Sequence, residues 1–281
     1  MFKNLGIGEL GHRASLTESI GLAARHGFEG ITFSIVDASE LAASHSADYV
    51  AQLFAEAGVQ PGAWHFPVQF RQDEAQWRED MDKLPGYAAL AQQLECRRTF
   101  TYIVPADNER TFTENFHFHV DRLRPAAQIL NDYGCRLGLE FVGPYTSRQN
   151  KRYSFVHTLE GARALAAALG TRNAGILLDI WHLHTAHGRN QDILELKGDE
   201  IVYVHVNDAP TGVATDALID NVRTLPGETG VLEIGGFLDA LGEIGYDGPV
   251  TAEPFSQRVR DLGVDEAVAA TAAAFNVIWP T

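Results

Sequence analysis

Four short apolar runs in this chain each end on a side chain with a lone pair to offer a cation: LGLE at Glu140, AGILLD at Asp179, IVYVH at His205 and PVTAE at Glu253. A short apolar run bounded by polar residues reads as a strand buried on both faces, the pattern of a parallel sheet. Each functional group then stands at or near a strand's carboxyl end. One glutamate, one aspartate, one histidine and a second glutamate are expected to meet there around a single divalent cation.

The rest of the chain repeats the same rhythm. Strands are expected at Lys3 to Gly8, Gly30 to Ser34, Gly62 to Phe66, Arg98 to Val104, Arg136 to Phe141, Ala174 to Asp179, Ile201 to Asn207 and Pro249 to Glu253. Helices are expected between them at Thr17 to His26, Ala47 to Ala57, Glu74 to Leu94, Glu114 to Tyr133, Leu159 to Leu169, near Asp192 to Lys197, at Ile234 to Ile244 and at Val264 to Ile278. Strict alternation of this kind builds a parallel sheet from βα units. Eight pairs make a closed (β/α)8 TIM barrel, with an open doubly wound sheet as the second choice. With no linker or low-complexity tract, residues 1–281 are expected to form a single domain. The connections Val142 to Thr158 and Asp208 to Gly230 exceed the usual short βα loop and both carry arginine, which marks them as substrate-contacting segments.

Charge excludes one class of partner. Asp plus Glu outnumber Lys plus Arg by 37 to 22, a formal net charge of −15, and such a surface repels a phosphate backbone. Nucleic acid is therefore not an expected partner, and the extra histidines His184 and His187 are not read as zinc ligands of a DNA-cutting barrel. A small phosphorylated molecule stays open, because Arg148, Arg152 and Arg223 can override the global field locally. The two cysteines, Cys96 and Cys135, lack metal or redox spacing, and no run approaches a membrane span, so a reduced, soluble, cytoplasmic protein is expected.

Three carboxylates and one imidazole form a hard, oxygen-rich set that suits Mn²⁺, Mg²⁺ or Co²⁺, with Zn²⁺ also open. Taken singly, a strand-end glutamate can equally cap a helix, and a histidine in VYVHVND can be an ordinary core residue. Together, carboxylates converging at one mouth repel one another unless a cation or arginine compensates them. A cation there neutralises the oxygen of an enediolate formed by removing the proton next to a carbonyl. Glu140 and Glu253, on the fifth and eighth strands, face each other across the mouth and are the expected acid/base pair. Glu9, His65 and Tyr102 follow strands on the same face. His65 is either a hydrogen-bonding partner for a sugar hydroxyl or a histidine packed between Trp64 and Phe66. Trp181 is either an apolar wall for a sugar ring or a core residue. His117 and His119 share no helical face and receive no role.

The order Glu140, Asp179, His205, Glu253, with Trp181 and His182 after Asp179, Asn207 and Asp208 after His205, and the segment RTLPGETGVLEIGGF from Arg223, resembles the xylose isomerase-like sugar isomerase and epimerase superfamily. The resemblance implies that the four residues are metal ligands and that His182 contacts a substrate oxygen. It implies a carbohydrate substrate, an isomerase or epimerase reaction, and a homo-dimer or homo-tetramer. A dehydratase or lyase acting on a keto-sugar, inosose or keto-glycoside would use the same site and first step. Thr146 and Thr211 stand where ketose 3-epimerases place a second glutamate and an arginine, and no lysine follows Glu140 as in xylose isomerases proper. Substrate contacts are expected instead from Arg148, Arg152 and Arg223.

Overall fold

In the computed structural model, which describes residues 1–280, eight parallel strands close on themselves. They are β1 (Phe2–Gly6), β2 (Gly30–Ser34), β3 (Gln60–His65), β4 (Arg98–Ile103), β5 (Arg136–Phe141), β6 (Ala174–Asp179), β7 (Ile201–Val206) and β8 (Pro249–Ala252). Each is bonded to its neighbours in sequence, and β1 to β8. This is a TIM barrel. Register sets the mouth: Asp179 pairs with His205 and His205 with Thr251, while Tyr102 pairs with Glu140. Glu253 follows one residue beyond the end of β8.

Helices run outside the ring, and their ends follow local chemistry. Ser15 caps Leu16–His26 by accepting from the Glu18 N–H, and Gly27 ends it in the left-handed conformation at φ 75°. Inside the ring, Ala63, Leu177 and Tyr203 pack with Phe100. Below them the Asn4 amide donates to the Thr32 and Thr251 hydroxyls, at 2.8 Å each. The barrel is thus filled beneath the mouth, and chemistry is confined to its carboxyl-terminal end.

Two local departures from expectation have clear causes. A helix at Ile35–Ser44, which periodicity did not single out, begins directly at the end of β2 because the Ser34 hydroxyl caps it, accepting from the Asp37 N–H. After β6, Asp179 itself caps Ile180–Thr185 by accepting from the Trp181 N–H at 2.8 Å. The helix expected near Asp192 to Lys197 is instead a single turn at Asn190–Ile193, followed by a 3-10 turn at Gly198–Glu200. The segment is too short between its neighbours to sustain an α-helix. No helix among the described residues is long and apolar enough to cross a membrane.

His119, on the helix Phe112–Asp132, ties two mouth loops together. Its ring packs against Phe155 at 4.8 Å and Phe70 at 5.5 Å, and its Nδ1–H donates to the Asn115 carbonyl at 2.8 Å. Burial in this aromatic box disfavours the imidazolium and depresses the ring to about 4. The folded chain therefore resists protonation that the unfolded chain accepts near 6.5. Stability contributed by neutral His119 should be complete above that value and fall as pH drops from there to about 4, by on the order of 3 kcal/mol. Urea unfolding at pH 7 and pH 5 should show a shallower loss for His119→Phe than for the parent. Parallel losses would remove His119 as an acid-sensitive element.

Candidate metal centre and cleft

At the mouth, Glu140, Asp179, His205 and Glu253 each offer one ligand atom, and the four atoms lie within 4.8 Å of one another. His205 Nδ1 is 3.2 Å from Glu140 Oε1 and 3.5 Å from Glu253 Oε2. Donors separated in this way bracket a divalent cation at ordinary metal–oxygen and metal–nitrogen lengths of about 2.0–2.3 Å. The set is three hard oxygens and one imidazole nitrogen, as such an ion requires. Asp179 Oδ1 is already taken by the Trp181 N–H and by the Asn207 amide at 3.0 Å, which fixes the carboxylate and turns Oδ2 inward.

The electrostatics follow from burial. Removal from water disfavours the His205 imidazolium, but Glu253 and Glu140 override this and lift the ring to about 10. Desolvation pushes the Glu253 carboxyl well above the ordinary carboxylate range, and neighbouring Glu140 and Asp179 add to the effect, against His205 and Arg223. Burial alone would raise Asp179 too, yet Arg223 and the two histidines hold it low. Asp179 also accepts from the Trp181 N–H and lies beside His182, whereas Glu253 has two carboxylates as neighbours, and that decides the difference.

Arg223 sits inside this cluster. Its Nη1 donates to Asp179 Oδ2 at 2.7 Å and to Glu253 Oε2 at 2.8 Å, while Nη2 and Nε donate to Asp220 Oδ1 and O, each at 2.8 Å. The guanidinium lies over Trp181 and Phe255, 5.0 and 4.7 Å from their ring centroids. Its loop is pinned by Asp208, whose carboxylate accepts from the N–H groups of Ala209, Thr229, Gly230 and Leu232. His182 is equally enclosed. The Gly143 N–H donates to its Nδ1 at 3.2 Å, while its Nε2 lies 3.4 Å from Arg223 Nη2 and 3.8 and 3.9 Å from Asp179 Oδ2 and Glu140 Oε1. Gly143 is required there, because a Cβ would fall 2.2 Å from the His182 carbonyl oxygen.

A cleft of about 540 Å³ opens beside the cluster, lined by Glu140, His205 and Glu253 at one side and by Glu9, His65 and Arg71 among others. His65 Nε2 lies 3.0 Å from Glu9 Oε1. Phe100, stacked on Tyr203 at 4.3 Å, forms its floor. Of the six residues expected to touch substrate, His65 lines this cleft. Trp181 is fully buried beneath Arg223, so it is a core residue and not a wall. Arg223 and His182 are drawn below the surface by the carboxylates they face. Arg148 turns away to donate to the Gly143 carbonyl, and the exposed Arg152 lies over the Tyr153 ring. Glu9 and Tyr102 do line the cleft, and so does Arg71, which sequence patterning missed. Its only sequence signal is a basic residue in a loop after a barrel strand.

Comparison with known proteins agrees with this architecture. The family model described as xylose isomerase-like TIM barrel matches residues 20–276. The chain belongs to that family. Among its relatives is inosose isomerase of Bacillus velezensis, 26% identical over 91% of this chain and 89% of the relative. A xylose isomerase domain protein from Alicyclobacillus acidocaldarius superposes with a TM-score of 0.88 at 27% identity, covering 99% of this chain and 98% of the other. The IolI protein, solved with a bound zinc atom, superposes with a TM-score of 0.79 at 24% identity over 99% and 98%. The chain is an enzyme.

The buried arginine gives a direct test. Arg223→Met keeps bulk but leaves Asp179 and Glu253 without their shared counter-ion, and should lower unfolding free energy by about 3–5 kcal/mol in chelator-treated protein. Asp220→Ala, which removes only the outer partner, should cost clearly less. Equal losses in urea titrations would mean that Arg223 anchors the loop and not the carboxylates.

Proposed function

We propose that Glu140, Asp179, His205 and Glu253 hold one divalent cation, and that the enzyme is a metal-dependent sugar or polyol isomerase or epimerase working through an enediolate. The observation that carries this is the convergence of four donor atoms within 4.8 Å on the wall of a 540 Å³ cleft. The volume suits a single sugar or cyclitol ring. An inosose isomerase relative that aligns along most of the chain supports a cyclic polyol ketone as substrate. Mn²⁺, Mg²⁺ or Co²⁺ fits the oxygen-rich set, and Zn²⁺ also accepts it. When bound, the cation polarises the substrate carbonyl as a Lewis acid.

The remaining work falls to side chains. Glu140 and Glu253, across the mouth from each other, are the acid/base pair. One removes the proton on the carbon next to the carbonyl, and the other returns a proton to the enediolate. Both carboxyls border the cleft, where either can face a carbon-bound proton of the substrate. Burial works against a charged His65, but the Glu9 carboxylate outweighs it and raises the ring, so His65 can donate to a ring hydroxyl. Phe66, Phe100 and Phe255 offer apolar surface to the hydrogen-bearing face of a ring and displace water from the reacting carbon. Arg223 and His182 orient the carboxylates from behind.

Incubation of an inosose in D₂O with enzyme and Mn²⁺ should exchange one hydrogen next to the carbonyl. Glu140→Gln and Glu253→Gln should each slow exchange by about 10²–10⁴-fold. Wild-type exchange in both variants would end the acid/base assignment. A dehydrated product in place of an isomer would assign the enzyme to the dehydratase branch of the same first step. Metal analysis is separate: the quadruple alanine variant of Glu140, Asp179, His205 and Glu253 should lose its divalent ion, and chelation should abolish exchange until metal is restored. Undiminished metal content in that variant would remove these residues as ligands.

A further inference from the structure

The cleft contains a cation that no side chain neutralises. Arg71 lies in the loop after β3, and its Nη1 donates to the Tyr102 backbone carbonyl at 2.8 Å. Its other neighbour is the side chain of the same Tyr102, and no carboxylate bonds to it among the described residues. The guanidinium lies 4.2 Å from the centroid of the Tyr102 ring and 4.7 Å from that of Phe70. Phe70 is itself fixed, being buried against His119. In a chain with a net charge of −15 an arginine has carboxylates to choose from, and this one pairs with none. Burial disfavours its charge, which makes the missing anionic partner costly.

The rest of the cleft makes that charge informative. Glu9 faces His65, and Glu140 and Glu253 face His205, so the acidic groups of the cleft have cations of their own and Arg71 is left with a charge to offer a ligand. Arg71 supplies one positive charge on a planar fork already held by two aromatic faces and a backbone carbonyl, so little ordering is left to be done on binding. Such a fork matches a carboxylate in charge and shape. One guanidinium balances a carboxylate's single charge but only half that of a phosphate dianion.

We propose that Arg71 selects a substrate whose ring carries a carboxylate, gripped by the free donors of the guanidinium while the carbonyl end of the ring faces Glu140 and Glu253. The orientation rests on the function proposed above, but the anion preference does not. The reaction class is thereby narrowed to keto or hydroxy acids built on a sugar or cyclitol ring.

Three probes share one pyranose ring and differ at carbon 6: glucose, glucuronate and glucose 6-phosphate. Calorimetric titration of the Mn²⁺-loaded full chain should find glucuronate bound about 10-fold or more tightly than glucose, as a charge-assisted fork predicts. Glucose 6-phosphate should bind no tighter than glucuronate. Arg71→Gln should bring glucuronate within about twofold of glucose while leaving glucose itself unchanged, and Arg71→Lys should restore part of the gap. Raising the salt concentration should weaken glucuronate and leave glucose unchanged. Equal affinities in the parent protein, or no binding of any probe, would overturn the proposal. So would a uniform loss of all three in Arg71→Gln, which would make Arg71 a structural clamp. Tighter glucose 6-phosphate would overturn the carboxylate assignment. Thermal melting of each variant guards against misfolding, and if Arg71→Gln does not fold, a glucuronate preference undiminished in Arg71→Lys refutes the fork. Loss of proton exchange with the glucuronate preference intact would fail the mechanism alone, and the converse would fail this proposal alone.

Discussion

Three carboxylates forced together at the end of a barrel are the constraint around which the rest of this molecule is arranged. Glu140, Asp179 and Glu253 lie within one cluster with His205. Like charges so close and so buried cannot all ionise without nearby positive charge. Arg223 bridges two of them from below, and His205 is pushed to about 10 between the two glutamates despite its burial. Asp179, saturated by donors and facing Arg223, stays low, while Glu253 is raised. Two carboxylates of one cluster are thus held in different electrostatic states by their neighbours.

The barrel alone does not hold that cluster. Arg223 comes from a long loop after β7, and a loop places a guanidinium reproducibly only if its own backbone is tied down. Asp208 does this by accepting four backbone N–H bonds, with a bridge between Asp208 and Thr224 closing the base. On the other side of the mouth, His119 packs against Phe70 and Phe155, which belong to two further loops. Asp208 anchors through bonds to both carboxylate oxygens, whereas His119 bonds through Nδ1 alone and anchors by aromatic packing.

Sequence pattern carried the strands and the four-residue cluster well because both are local properties. An apolar run of five or six residues with a polar terminus has few ways to fold, and β5, β6 and β7 begin and end within a residue of the expected limits. Depth was less legible. Trp181 and His182 directly follow a strand end and Arg223 lies in a long loop after β7, which suggests contact with the mouth, yet all three are buried, Arg223 because carboxylates beneath the surface receive it. Arg71 was invisible for the opposite reason. Its surroundings come from Phe70 beside it and from Tyr102 on another strand, and nothing in the linear pattern announces a guanidinium clamped between those two rings. The helix at Ile35–Ser44 was missed because no loop separates it from β2, so one apolar stretch served two elements.

The two arginines closest to the chemistry therefore have opposite situations. Arg223 is wholly buried and bonded to three acidic side chains, so its charge is consumed in holding the cluster together. Arg71 is partly exposed, faces the cleft and has a backbone carbonyl, not a carboxylate, as its partner. In an acidic chain the first kind is expected, because folding draws cations to buried anions. The second persists only if something else compensates it, and the open side of Arg71 is the space where a substrate ring would sit.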